Sequence, residues 1–593
     1  MTSGILTFDG VWDIECAHWD RFLCGELLAA NGDAVQCWNE DEFADAMLSR
    51  EGIWFAHFGG RYDMLWLLDI ASRRGLEWSA RMRGSGILSA RIGDLEVRDS
   101  HAIIPMSLAQ AAGLAGKKKT STGLPCECGT SCGGYCALAR PLSVAEKALV
   151  GDYLHNDCEV LLSVLEAVQA RALDEGITMR ATIGGTAWAT ARAWLDLPPS
   201  GHDVGTYKRL REGYFGGRTE VFRAIAKRGD RYDIHSSYPA ALQRVALPEG
   251  TGRLVRGSTL AGNYFAAGAD GIYGARVTVR DDCYIPPLPY RASDRLLYPT
   301  GPVDGVWTGL ELRHALEHGA SLDSVTWGYV WASSRPVLRE YAERVWSLRA
   351  DAAERGDEAW ASWYKWLANS LTGKLAQSLE NQSLDFEPAP ENGAPAMDGD
   401  AVDVIACFHG GYFYVTETRR VDACAHVQWA AYLTAEARVE LHRQLLEADR
   451  AALYCDTDSV YSSRPLDRRI GPELGEWGHE GAMTDWRALA PKVYRYRCTG
   501  CKKHPNGGWH VRGKGMPGLD SPGFEALARG EAWTTDRGVV GLRTSLRAKD
   551  SLFRRRTLTR GLKPVRGWIG GRETDGRGGT RPTTIDRYNA RWK

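Results

Sequence analysis

The sequence predicts an α+β, multidomain fold, and three observations lead there. The chain has 593 residues, enough for roughly three to five domain-sized units. Its first 185 residues alternate apolar, strand-like runs with helical stretches. From about Gly185 the pattern becomes mixed, and long helical stretches feed into isolated apolar strands.

The elements follow in order. Gly52 to Asp69 reads as strand, turn and helix. Arg140 to Leu173 reads as one helix, with Leu149, Tyr153, Val160, Leu161 and Leu165 at helical spacings. A long helix is predicted over Val337 to Gln377. Leu384 to Ala401, rich in Pro, Gly and acid, reads as a loop or insertion. His426 to Ala452 reads as a second long helix running into the apolar strand ALYCDTDSV.

Composition excludes several classes. Hydrophobic residues make up 44% and charged residues 25%, ordinary for a globular protein with its own core. No run approaches 18 apolar residues, so no membrane span is expected. The N-terminal MTSGILTFDGVWDIE lacks the basic start and apolar core of a secretory signal. The 14 Cys, scattered apart from one dense group, suit a reducing cytoplasm. Net charge is −1, but from Arg537 to Lys593 there are 16 Lys/Arg against 4 Asp/Glu. That end carries about +12 and the remainder about −13. A basic end on an acidic chain fits a phosphate-gripping module beside metal-binding carboxylates; a solvated basic tail is the plainer alternative.

Three short segments carry the chemistry. The first is Tyr232-Asp233-Ile234-His235-Ser236-Ser237-Tyr238-Pro239. A carboxylate at a strand end, followed by a polar turn, can hold a metal and turn backbone N–H groups toward a triphosphate. The second is Lys365-Trp366-Leu367-Ala368-Asn369-Ser370-Leu371-Thr372-Gly373-Lys374. Lys365 and Asn369 share one helical face, where a cation and an amide can meet phosphate and a nascent base pair. Gly373 permits close approach. The third is Tyr454-Cys455-Asp456-Thr457-Asp458-Ser459, whose acids at i and i+2 point the same way and repel unless a cation lies between them. Phosphoryl transfer needs chiefly two divalent ions about 3.5–4 Å apart. Asp233 and Asp458 are placed to bridge them, and Lys365 to offset charge on the triphosphate.

A second set lies in the first third of the chain. Asp13 and Glu15 sit two apart on a predicted strand. Asp63 follows Phe58-Gly59-Gly60-Arg61-Tyr62. Asp157 lies four residues after Tyr153, on the same helical face. Four acids from three elements can hold two metals that cleave a phosphodiester with water, and Tyr153 can orient that water.

DIHSSYP, KWLANSLTGK and YCDTDS resemble the three polymerase motifs of family B DNA polymerases. Lys492-Val493-Tyr494 resembles the family's later K-x-Y motif, which supports the primer terminus. Tyr214-Phe215-Gly216-Gly217 resembles its Y-x-G-G segment, a DNA contact between two modules. The acids of the N-terminal third resemble its three exonuclease motifs. Length and spacing are most similar to the protein-primed branch of small phages and linear plasmids. The resemblance implies a ribonuclease-H-like 3′–5′ exonuclease followed by a right-hand polymerase of palm, fingers and thumb. It implies Mg²⁺, or Mn²⁺, at both sites: on Asp13, Glu15, Asp63 and Asp157, and on Asp233, Ile234 and Asp458, with Asp456 beside them. It implies nucleotide contacts from Ile234, Tyr238, Lys365 and Asn369, with Tyr238 as the gate that excludes a ribose 2′-OH. The implied partners are primer–template DNA, deoxynucleoside triphosphates and a terminal protein primer, with the chain acting as a monomer in the cytoplasm.

The sequence departs from the family in places. Ser237 stands where Leu is usual, and Thr372 where Tyr is common. Phe58 and Gly59 occupy the stretch where the second exonuclease motif carries a DNA-holding Asn. Two alternatives remain: a family B enzyme using nucleic-acid primers or none, and a replication scaffold with a decayed site.

The resemblance also divides the chain: exonuclease 1–185, palm 186–287 and 416–535, fingers 342–378, and thumb with basic end 536–593. Two insertions are expected. The one at 288–341 would contact the terminal protein, and the one at 379–415 would serve strand displacement and processivity; both could be plain surface elaboration. Cys126, Cys128, Cys132 and Cys136 crowd together in a C-x-C-x₃-C-x₃-C spacing. They could hold structural Zn²⁺ or an iron–sulfur cluster, or be unligated loop thiols. Cys498, Cys501, His504 and His510 offer a second metal-binding arrangement within a predicted hairpin.

Overall fold

The computed structural model describes residues 7–592 except 18–20, 85, 126–134, 294, 379, 390–400, 420, 423, 468–469, 502–503, 563–566 and most of 540–554. The expected α+β, multidomain architecture is built around two large sheets.

The N-terminal sheet centres on the strand Gly10–Ala17, which pairs in parallel with Gly52–Ala56 and antiparallel with Arg21–Ala29. Gly52–Ala56 pairs in parallel with Leu95–Asp99. Val11, Trp12, Phe55 and Ala56 are buried, as expected of strands covered on both faces. The helix Val144–Asp174 packs over the first two strands. It starts on a reciprocal cap in which Ser143 and Glu146 satisfy each other's backbone N–H.

This sheet does not end within the first 185 residues. Trp78–Arg83 pairs antiparallel with Glu380–Pro388, which pairs with Gly411–Arg419, which pairs with Ala401–Phe408. The result is a ten-stranded sheet. Phe386 stacks on Trp78, with ring centroids 6.1 Å apart. The reading of 384–401 as a loop or insertion is therefore corrected to strand over 384–388; residues 390–400 lie outside the described residues. Strand persists to Pro388 because Leu384 and Phe386 alternate inward and are fully buried, a period-2 pattern that the flanking Pro and Gly obscured.

The second sheet has seven antiparallel strands, with Ile225–Ile234 between Trp477–Ala490 and Ser459–Ser462. The helix Val427–Ala448 lies against it and is buried on nearly every side. The single helix predicted over 337–377 is two, Arg339–Glu354 and Glu358–Leu375. The break falls at Gly356, whose φ of +74° suits glycine, and Asp357 caps the second helix.

Residues 253–335 form one unit. Gly301–Thr308 and Ala320–Val330 pair with Gly271–Val279, and Ala320–Val330 also pairs with Arg253–Arg256. The segment 288–341 thus shares a sheet with strands that precede it.

The basic C-terminal end folds back onto the seven-stranded sheet. Arg572 is buried and faces Glu220 at 3.4 Å, while Arg218 donates to the same carboxylate at 2.7 Å. Arg581 pairs with Glu573 at 2.8 Å. Part of the basic charge read as a phosphate grip is therefore spent inside the fold, where the pairing acids lie nearby in space or at short sequence distance.

Glu220 neutralises two buried guanidiniums, and this asymmetry is testable. Glu220→Gln strands both Arg218 and Arg572 and should cost about 3–5 kcal/mol. Arg572→Met leaves Glu220 paired with Arg218 and should cost less. Denaturation midpoints and protease release of the C-terminal end give the comparison; a larger loss for Arg572→Met would refute the assignment.

Candidate active sites

Asp233 lies one residue from the end of the strand Ile225–Ile234, opposite Ser459 on one side and Gly478 on the other. Asp458 occupies the two-residue turn between Ala452–Asp456 and Ser459–Ser462. The turn is fixed from both sides: Thr457 N–H donates to the Arg218 carbonyl at 2.7 Å, and Ile234 N–H donates to the Asp458 carbonyl at 2.9 Å. Thr457 holds φ +63° and Ser236, at the turn after Asp233, holds φ +58°. Left-handed backbone at non-glycine residues is costly, and here it falls at both carboxylate turns.

Burial, then the neighbouring Asp458, pushes the Asp233 carboxyl up to about 7. Burial, then Asp456, pushes Asp458 up to about 6. The exposed Lys365 on the helix Glu358–Leu375 opposes both shifts. Asn369 follows one turn later on the same side, half-buried. A Cβ at Gly373 would meet nothing within 4 Å, so that flank is open to a ligand. Asp456 is engaged otherwise: Lys492 Nζ lies 2.7 Å from it and Thr219 Oγ1 donates to it at 3.0 Å. The pair available for a metal is therefore Asp233 with Asp458.

Tyr238 opens the helix Ser237–Arg244. Its phenol is pushed up to about 12 by burial and then by Tyr214, with Arg438 opposing. Arg438 is buried, meets Glu311 through two contacts of 2.7 and 2.9 Å, and donates to the carbonyls of Phe215 and Gly216. This holds the Tyr214-Phe215-Gly216-Gly217 segment in place. A Cβ on Gly217 would come within 2.6–2.9 Å of Thr457, so glycine allows the segment to cross the Asp458 turn. Tyr494 packs against Tyr454 and Trp486, with centroids 5.0 and 5.1 Å away.

The N-terminal acids converge independently. Ligand atoms of Asp13, Glu15 and Asp157 lie within 4.8 Å of one another. Asp63, buried at the start of the helix Asp63–Arg73, is raised by burial first, then by Asp13. Burial and then Asp157 push Asp13 up to about 7; burial and then Asp13 push Glu15 up to about 8. The Tyr153 hydroxyl bonds to Glu15 and Asp157. Asp157 Oδ1 is buried without a hydrogen-bond partner. An orphaned oxygen among mutually repelling acids fits a divalent cation.

Comparison with known proteins decides the family. Residues 145–440 match the family of type B DNA polymerases, organellar and viral. The chain is a type B DNA polymerase. It is 26% identical to the DNA-directed DNA polymerase of Enterobacteria phage PRD1 over 80% of this chain and 79% of that one. It is 24% identical to a probable DNA polymerase of Neurospora intermedia over 48% of this chain, and spans only 30% of that longer protein. The fold is that of phi29 DNA polymerase. Its complex with primer-template DNA and incoming nucleotide superposes with a TM-score of 0.71, 16% identity, and coverage of 93% of this chain and all of that one. The binary complex of the same polymerase gives 0.72. The ribonuclease-H-like and right-hand domains expected from sequence are thus present.

Several residues of this polymerase escaped the sequence reading. Lys119 is ion-paired with Asp157, and its Nζ lies 4.9 Å from the Tyr153 ring centroid. The only signal was the triplet Lys117-Lys118-Lys119. Arg349 donates to Ser236 Oγ at 2.8 Å, reaching from the first finger helix to the Asp233 turn. Arg438 and Glu311, 127 residues apart, gave no local signal. Phe58 lies in the stretch where the Asn is usual. It holds φ +61° and packs on His101, with centroids 3.7 Å apart and ring planes at 32°. A Cβ on the neighbouring Gly60 would fall 1.8 Å from the Ile87 carbonyl, so glycine is required there. Of the cysteine group, Cys126, Cys128 and Cys132 lie outside the described residues, and Cys136 sits half-buried in a short 3₁₀ turn. Among the described residues, no helix is long and apolar enough to cross a membrane.

The raised acids carry a pH signature. Between the unfolded carboxylate range near 4 and about 7 to 8, folded Asp13 and Glu15 bind more protons than the unfolded chain. Their contribution to stability is therefore greatest at low pH and is lost as pH rises through that window. Metal-free protein should show a falling thermal midpoint from pH 6 to 8. The slope should shrink in Asp13→Asn with Glu15→Gln and with saturating Mg²⁺; an unchanged slope in the double variant would refute this origin.

Proposed function

We propose that the chain copies a DNA template from deoxynucleoside triphosphates at Asp233 and Asp458, and removes 3′-terminal nucleotides at Asp13, Glu15, Asp63 and Asp157. The observation that carries this reading is the pair Asp233 and Asp458, raised by burial and by neighbouring carboxylates and opposed by Lys365 of the second finger helix. The retention of such pairs argues against a decayed scaffold, which has no use for costly buried charge.

Divalent Mg²⁺ or Mn²⁺, when bound, supplies the charge that activates the attacking oxygen and stabilises the leaving one. Asp233 and Asp458, with the Ile234 carbonyl, would hold it. Lys365 and Arg349 bring positive charge to the triphosphate, Asn369 faces the nascent pair, and Tyr238 closes the space a 2′-OH would need. Lys492 and Tyr494 support the primer terminus, beside the Tyr214-Gly216-Gly217 strip. At the second site Tyr153 orients the attacking water, and Lys119 steadies Asp157. Phe58 and His101 together offer an aromatic surface for a single strand where the usual Asn is absent.

Asp458→Ala should abolish nucleotide addition and leave single-strand degradation intact. Asp13→Ala with Glu15→Ala should do the reverse. Primer extension by the first variant at the wild-type rate would overturn the assignment.

We also infer initiation on a protein primer. The similarity to the protein-primed branch supports this, as does the chain expected to be inserted at 288–341 and 379–415, whose described residues include the strands Gly301–Thr308, Ala320–Val330, Glu380–Pro388 and Ala401–Phe408. Labelled deoxynucleotide incubated with a candidate terminal protein should give a covalent adduct that Asp458→Ala fails to form. Efficient extension of nucleic-acid primers with no adduct for any terminal protein encoded beside this chain would favour the other priming class.

A further inference from the structure

We propose that Cys498, Cys501, His504 and His510 form a structural zinc site at the tip of the palm hairpin. The hairpin consists of Val493–Cys498 and Gly508–Gly513, and its loop reverses the chain between Cys498 and Gly508.

The distances form the edges of a tetrahedron. Zinc takes thiolate at about 2.3 Å and imidazole nitrogen at about 2.0–2.1 Å. Tetrahedral angles then require S···S near 3.8 Å, S···N near 3.5 Å and N···N near 3.4 Å, each about. Cys498 Sγ and Cys501 Sγ are 3.7 Å apart. His504 Nδ1 lies 3.8 Å from Cys498 Sγ and 3.9 Å from Cys501 Sγ. His510 Nε2 lies 3.3 Å from Cys501 Sγ and 3.1 Å from His504 Nδ1. All four ligand atoms fall within 4.8 Å of one another. The sulfurs are too far apart for a disulfide.

The surroundings are shaped for the site. His504 N–H donates to Cys501 Sγ at 3.3 Å, and Cys501 N–H donates to the His504 carbonyl at 3.0 Å. An N–H aimed at a sulfur stabilises thiolate. The His510 ring stacks on Tyr496 at 4.7 Å and 12°, which fixes its direction. A Cβ on Gly508 would come within 2.8 Å of the His504 ring, so glycine makes room for that ligand. Two sulfurs and two imidazoles in a closed tetrahedron select zinc over magnesium or calcium.

The contrast with another imidazole cluster is instructive. His314, Glu317 and His318 also approach one another. There His314 Nε2 faces His442 Nδ1 at 2.9 Å, His442 Nε2 faces the Ile285 carbonyl and His318 Nδ1 faces the His314 carbonyl. Those nitrogens are consumed by the protein, whereas the hairpin's converge on one point.

Zinc there ties down the far end of the strand that begins at Lys492-Val493-Tyr494. This role rests on the polymerase reading above; the metal assignment does not.

Full-length protein purified without chelator should hold about one zinc per chain. Variants Asp233→Asn with Asp458→Asn, and Asp13→Asn with Glu15→Gln, should hold the same, which separates this site from both acid sites. Cys498→Ser with Cys501→Ser should lose it. Cobalt exchanged into the wild-type protein should show thiolate-to-cobalt charge transfer and the strong visible bands of tetrahedral cobalt, so the test does not depend on the variant folding. Wild-type protein that binds no zinc after supplementation and desalting, or a six-coordinate cobalt spectrum, would overturn the proposal.

Discussion

Like-charged carboxylates resist sharing a dry pocket, and this polymerase packs them together twice. The acids of one cluster come from the strand Gly10–Ala17 and two helices, those of the other from a strand end and a hairpin turn. A non-glycine residue in the left-handed region lies near each: Phe58 in one, Thr457 and Ser236 in the other. The acids are pushed toward neutrality by burial and by one another. Much of the neighbouring structure works against that repulsion. Lys119 pairs with Asp157, Lys365 offsets the charge of Asp233 and Asp458, and Lys492 holds Asp456. Strong local strain and unfavourable charge are tolerated because the surrounding sheets fix the backbone that carries them.

The acids that the fold brings together were legible because each lies in a short stretch where residue type and spacing coincide. Asp233 lies next to a strand end before a Ser-rich turn, Asp458 lies in a D-x-D turn, and Asp157 is one helical turn from Tyr153. What supports them was not legible, because the contacts are made across the chain. Arg438 meets Glu311 and Arg572 meets Glu220 over long sequence distances, and neither pair leaves a periodic signal. The split of the finger helices was visible at Gly356 but was outweighed by the helix-forming residues on either side. The strand Glu380–Pro388 was hidden by the Pro and Gly that follow it.

The palm hairpin shows a different route to rigidity. Its base is held by Lys492 on Asp456 and by the stack of Tyr454, Trp486 and Tyr494. Its tip gathers four ligand atoms rather than apolar side chains. The hairpin forms the outer edge of the seven-stranded sheet, with no further strand beyond Gly508–Gly513 among the described residues, so coordination at the tip and aromatic packing at the base divide the task.

The ten-stranded sheet has a consequence for the order in which the chain is made. The strand Trp78–Arg83 finds its outer partner only in Glu380–Pro388, after some three hundred residues of intervening chain. At about 5–20 residues per second of synthesis, that edge stands open on the ribosome for roughly 15–60 s. An unpaired edge is a template for wrong partners. Arg81 and Arg83, on the waiting strand, put charge on it during that interval. The N-terminal domain is therefore no detachable cartridge: its sheet is completed by residues that the ribosome supplies only after the finger helices have emerged.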